Sequence, residues 1–73
     1  MNEIGIIGLG RFGKVLVNIL QKGFSIYGYD IGNIDYVPGV TVCGLEKVLK
    51  QKVIFIAVPI RSFKSLIQLI ALL

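Results

Sequence analysis

Three glycines, spaced as Gly8-Leu-Gly10-Arg-Phe-Gly13, constrain the fold of this 73-residue chain more than any other feature. An apolar run from Ile4 enters the turn, and a helical pattern leaves it. A strand that bends sharply into a helix needs a residue without Cβ at the bend, the place of Gly8. Gly10 leaves the backbone open to whatever lies over the turn. Gly13 lets the helix lie close against the first strand. Backbone N–H groups near Leu9 to Phe12 lack intrahelical partners and carry the positive end of the helix dipole, so the turn suits an anion. Arg11 stands in this first turn, where it either reaches a phosphate or is simply solvated.

The surrounding pattern agrees. Glu3 to Ile7 reads as a buried strand and Arg11 to Lys22 as a helix, with Phe12, Val15, Leu16, Ile19 and Leu20 as its apolar stripe. Gly23 sits where a left-handed C-terminal residue belongs, with Lys22 in the last turn. Phe24 to Tyr29 is a second strand closed by Asp30, which lies 22 residues after Gly8. A spacing of about 20 is that of the acid which accepts the ribose hydroxyls of a bound dinucleotide. A carboxylate there repels a 2′-phosphate, so NAD is expected in preference to NADP.

Ile31 to Gly39 is a loop, marked by Gly32-Asn33 and Pro38-Gly39. Val40 to Cys43 forms a brief third strand, and Leu45, Val48 and Leu49 face one side of a short helix. Val53 to Val58 is an unbroken apolar run, the pattern of a strand buried on both faces. A last helix is expected from about Ser62, with Phe63, Leu66, Ile67, Ile70 and Ala71 on one stripe. With right-handed crossovers the class is α/β, a doubly wound parallel sheet of four strands in the order 3-2-1-4. Val58, Pro59 and Ile60 then end the strand beside the first one, where the order reverses and ligands bind.

Two details point to an incomplete fold. Leu69, Leu72 and Leu73 lie off the last helix's stripe, and the strand 53–58 is an apolar edge of a kind that native proteins cover. Self-association or a missing C-terminal domain is expected there. Residues 1–73 then form a truncated dinucleotide-binding domain.

Composition excludes other classes. The net charge of +4 comes from scattered basic residues, and the Lys47, Lys50, Lys52 cluster has no interleaved aromatics, so nucleic acid is not an expected partner. The longest stretch without charge, Tyr36 to Leu45, is too short to span a membrane, which takes about 20 residues. The N-terminus lacks the basic region of a signal peptide, and Cys43 is the single cysteine, which fits a reducing cytoplasm. With one cysteine and no histidine, a His/Cys metal site and a Cys-His nucleophile pair are both excluded.

Gly8-Leu-Gly-Arg-Phe-Gly13 followed by Lys14-Val-Leu, with Tyr29-Asp30 downstream, resembles two families. One is the prephenate/arogenate dehydrogenase family of tyrosine biosynthesis. The other is the nucleotide-sensing regulatory domain of potassium channels and transporters. Val40-Thr-Val-Cys43, Leu45-Glu-Lys-Val-Leu49 and Val53 to Phe63 through Ala57-Val-Pro-Ile60 are similar to the dehydrogenase pattern. The regulators usually carry a Gly-Asp pair after the third strand, where this chain has Cys43-Gly44.

The resemblance covers the whole chain but only the first part of the family's Rossmann-type cofactor domain. It implies cofactor contacts from Gly8, Leu9, Gly10, Arg11, Phe12, Gly13, Asp30, Val58, Pro59 and Ile60. The family oxidatively decarboxylates prephenate or arogenate with NAD(P). Its catalytic histidine and helical dimerisation domain have no counterpart here. No residue is assigned as catalytic: five lysines fall on polar helix faces, Lys52 lies at a strand lip, and the tyrosines lie in or just after the second strand. The expectation is a dinucleotide-binding piece that is silent alone.

Overall fold

The computed structural model describes residues 2–32 and 34–73. Met1 and Asn33, the latter half of the Gly32-Asn33 loop signal, lie outside the described residues. The chain runs β1 (Glu3–Ile7), α1 (Arg11–Leu20), β2 (Ser25–Tyr29), β3 (Val40–Val42), α2 (Leu45–Leu49), β4 (Ile54–Ile56) and α3 (Ile60–Ala71). The strands form one parallel sheet in the order β3-β2-β1-β4, as right-handed crossovers require.

β1 is central and its side chains alternate between two cores. Ile4 and Ile6 point to one face, where they meet Leu9, Val17 of α1, Ile26 and Val37. Ile7 points to the other, against Leu45 and Val48 of α2 and Leu66 of α3. The connection from β2 to β3 has no helix among its described residues. Val37 is instead buried against the α1-side core and Ile34 half-buried beside it, so two loop side chains do a helix's work there.

The helices sit in a different rotation from the one the apolar stripes suggest. On α1 the buried residues are Gly13 and Val17, flanked by half-buried Leu16 and Leu20, whereas Phe12, Val15 and Ile19 are exposed. The cause is Gly13. A Cβ there would collide with the Gly8 carbonyl, so the glycine face is pressed onto the turn and sets the helix's rotation. α3 begins at Ile60, not Ser62, and turns Leu66, Leu69 and Ile70 inward while Phe63 and Ile67 stay exposed. Leu69 is thus a core contact and not an outlying residue.

α1 stops at Leu20, and Gly23 is not left-handed; only Gly8 and Gly39 have positive φ among the described residues. The N–H groups of Gly23 and Phe24 both donate to the Leu20 carbonyl, which closes the helix without a left-handed residue. β2, β3 and β4 are each shorter than the apolar runs that contain them, because pairing ends before apolarity does.

Cys43 follows β3 and is half-buried beside the α2-side core. Burial pushes its thiol above the ordinary range, against the opposing pull of Lys47 and a hydrogen bond with the Gly28 backbone. The raised value favours the neutral thiol in the fold. Its contribution to stability is therefore present below the ordinary thiol range and is lost as pH rises through the raised value. Since the thiolate is the nucleophile, iodoacetamide is expected to alkylate Cys43 more slowly in the native chain than in urea. Equal rates would contradict this.

Candidate functional site

The turn between β1 and α1 stands at the C-terminal end of the sheet. Gly8 has φ 103°, a left-handed conformation that side chains rarely adopt, and its N–H donates to the Tyr29 carbonyl at 2.8 Å. This bond joins the end of β1 to the end of β2. A side chain at Gly8 would also strike the Ala57 carbonyl, so the turn is hemmed in by the chain that leaves β4.

Asp30 locks the same turn from the β2 side. Its Oδ2 accepts the Leu9 N–H at 2.6 Å, and its Oδ1 accepts the Gly32 N–H at 2.7 Å. Both carboxylate oxygens are thus held by backbone donors, one in the glycine turn and one in the loop that follows Asp30. The Leu9 N–H is therefore committed to Asp30 and is not free for a ligand, contrary to the expectation for the helix start. The first α1 hydrogen bond runs from the Lys14 N–H to the Gly10 carbonyl, so the N–H groups of Arg11, Phe12 and Gly13 lack intrahelical partners. No side chain caps that end, and no acid stands in its first turn.

A cavity of about 800 Å³ opens over these groups. That is within the range of small-molecule sites, about 300–1,000 Å³. Gly8, Gly10, Arg11 and Phe12 form its floor, Asp30 and Ile31 its β2 side, and Val58 and Pro59 its β4 side. A Cβ at Gly10 would meet nothing within 4 Å, so the backbone there is bare toward the cavity.

Of the ten residues expected at the site, seven line the cavity. Leu9 contributes through its N–H, while its side chain is fully buried in the α1-side core. Gly13 lies beneath the turn as a spacer. Ile60 points to solvent, 93% exposed, and does not line the cavity.

The cavity also takes in Arg61, Ser62 and Ser65 of α3, which sequence reading missed. The two-residue earlier start of α3 is the reason. It places positions 61, 62 and 65 on the flank that faces the glycine turn. Among the described residues, the titratable side chains on the cavity wall are Arg11, Tyr29, Asp30 and Arg61. None of them is a histidine, lysine or cysteine, and no cluster of potential metal ligands occurs among the described residues. No helix there is long and apolar enough to cross a membrane.

Comparison with protein-family models, curated proteins and solved structures finds no match to this chain.

Proposed function

We propose that the chain binds NAD in the cavity over the glycine turn, as the cofactor portion of a prephenate/arogenate dehydrogenase-like oxidoreductase. The observation that carries this reading is the clamp between Asp30 and the Leu9 N–H. It fixes a carboxylate at the rim of a bare glycine turn, the arrangement suited to a ribose diol beside a pyrophosphate. Gly10 would lie under the pyrophosphate, and the free N–H groups at the start of α1 and the Arg11 guanidinium would meet its charge. Val58 and Pro59 would line the side toward the nicotinamide. When bound, NAD would supply hydride transfer.

Among the described residues, the two cavity groups able to take a proton, Tyr29 and Asp30, stand on the β2 side, away from the Val58 and Pro59 side where the nicotinamide would lie. The chain by itself is therefore proposed to bind without turnover. A nicotinamide side without a base also suits a second reading, a nucleotide-sensing module that gates a partner.

Calorimetric titration tests the binding claim. NAD is expected to bind, and NADP more than tenfold more weakly, because its 2′-phosphate would meet the Asp30 carboxylate. Equal binding of the two, or no heat with either, would overturn the assignment. Prephenate- or arogenate-dependent NADH production by the purified chain would overturn the proposed silence.

A further inference from the structure

The flank of the molecule beyond β4 is apolar on both faces of the sheet. The ladder bonds show which backbone groups are left open. The Gly5 N–H donates to the Val53 carbonyl and the Ala57 N–H to the Ile7 carbonyl, so Val53, Phe55 and Ala57 turn their polar groups to β1. Ile54 and Ile56 lie between them and turn their N–H and C=O groups to the open edge. Phe55 packs into the α1-side core, which puts Val53 on that face and exposed Ile56 on the α3 face.

Each flanking helix adds an exposed apolar stripe on the same side. On α1, Val17 and Gln21 adjoin Gly39, which leads into β3. Going round the helix the other way from its buried face, one meets Phe12, Val15 and Ile19, which therefore flank β4. α3 runs in the same direction on the opposite face of the sheet. Arg61 and Ser65 line the cavity on one of its flanks, and Ile60, Phe63 and Ile67 form the other, beyond β4.

These eight side chains are each between 45% and 93% exposed, and two of them, Phe12 and Ile56, also stand at the border of the cavity. At roughly 150–200 Å² for a fully exposed side chain of this size, they present on the order of 700–900 Å² of apolar surface. A stable interface of standard size takes about 800 Å² from each partner. The largest apolar patch on an ordinary monomer is about 300–600 Å².

We propose that a second copy of this chain covers this flank, with β4 pairing antiparallel to its own copy about a two-fold axis perpendicular to the sheet. That axis keeps each face on its own side. The α1 stripe would meet the α1 stripe of the other copy, and α3 would meet α3, so the patch is its own complement. The acids Asp30, Asp35 and Glu46 lie in the β2–β3 connection or on α2, away from the flank, whereas Glu3 stands beside Lys52 and Val53 at its edge. Lys52 and Lys64 border it as well. Each copy carries a net charge of +4, so the dimer tightens as salt screens the repulsion between copies, whereas an acidic partner would be released by salt.

Sedimentation velocity over a wide dilution series, at low and high salt, reads this directly. The parent chain is expected to dissociate from dimer to monomer on dilution, and less readily at high salt. Val15→Lys with Ile19→Lys, and separately Phe63→Lys with Ile67→Lys, are each expected to weaken the dimer more than tenfold while far-UV circular dichroism is unchanged. Should either pair unfold the chain, hydrogen exchange on the parent still decides. The amides of Ile54 and Ile56 are expected to be protected at high concentration and to lose that protection on dilution. A parent that stays monomeric, an open-ended polymer, a dimer that survives both pairs, or rapid exchange of those two amides at every concentration would each overturn the proposal.

Discussion

Replacing Gly13 with alanine is expected to destabilise the chain by about 1–3 kcal/mol, the usual cost of forcing an extra methyl into a packed site. The sign is what makes the result informative. Inside a helix, alanine is ordinarily favoured over glycine by about 1 kcal/mol. Here the added Cβ would overlap the Gly8 carbonyl. That oxygen belongs to backbone fixed in its turn by the bond from the Gly8 N–H to the Tyr29 carbonyl, so it cannot step aside as a flexible side chain would. α1 must then lift from β1, and Leu16, Val17 and Leu20 lose contact with the α1-side core. In a domain this small, a loss of 1 kcal/mol lowers Tm by about 4–8 °C.

Gly10→Ala is the control. Its Cβ meets nothing within 4 Å, and its φ of −76° lies outside the left-handed region. Its Tm is expected to stay within a degree or two of the parent's, while under the NAD assignment affinity for NAD falls because the methyl projects into the cavity. Thermal unfolding of both variants checks the pair. A Gly13→Ala chain as stable as the parent would show that the helix is not seated on the turn.

The same contact explains what the sequence made legible. Strand order and crossover sense follow from general rules once β1, the turn and the other apolar runs are recognised, and the sheet has the expected 3-2-1-4 order. The turn and Asp30 were equally visible, because their spacing is itself the signal. The rotation of α1 was not. Hydrophobic periodicity gives glycine little weight, so the stripe Phe12, Val15, Leu16, Ile19 and Leu20 outscored the narrower face that a close approach at Gly13 enforces. Apolar periodicity records where such side chains recur along a helix, not what covers them. That is why Phe12, Val15 and Ile19 read as buried and are exposed. The extension of the cavity to Arg61, Ser62 and Ser65 was hidden by the start of α3, since proline at the N-cap let the helix begin sooner than the apolar pattern implied.

Asp30→Ala is expected to lower both stability and dinucleotide affinity, and the two losses have separate causes. In the free chain the carboxylate accepts the Leu9 N–H and the Gly32 N–H. Truncation leaves the part-buried Leu9 donor without an acceptor, at a cost of about 1–3 kcal/mol. Under the NAD assignment it also removes the acceptor for the ribose hydroxyls. Two hydrogen bonds to a charged group, at ~1.5 kcal/mol or more each, correspond to a loss of affinity of roughly 100-fold. Asp30→Asn separates the two roles. Its single amide oxygen satisfies either Leu9 or Gly32, and its NH2 group faces the other donor, so part of the stability loss remains. The negative charge is gone, however, and with it the repulsion of a 2′-phosphate. NADP is therefore expected to bind Asp30→Asn more tightly than it binds the parent, even as NAD binds less well. Calorimetry with both dinucleotides, alongside urea unfolding, distinguishes the outcomes. If Asp30→Ala loses stability but binds NAD as the parent does, the carboxylate only fastens the glycine turn, and the ribose must be held elsewhere.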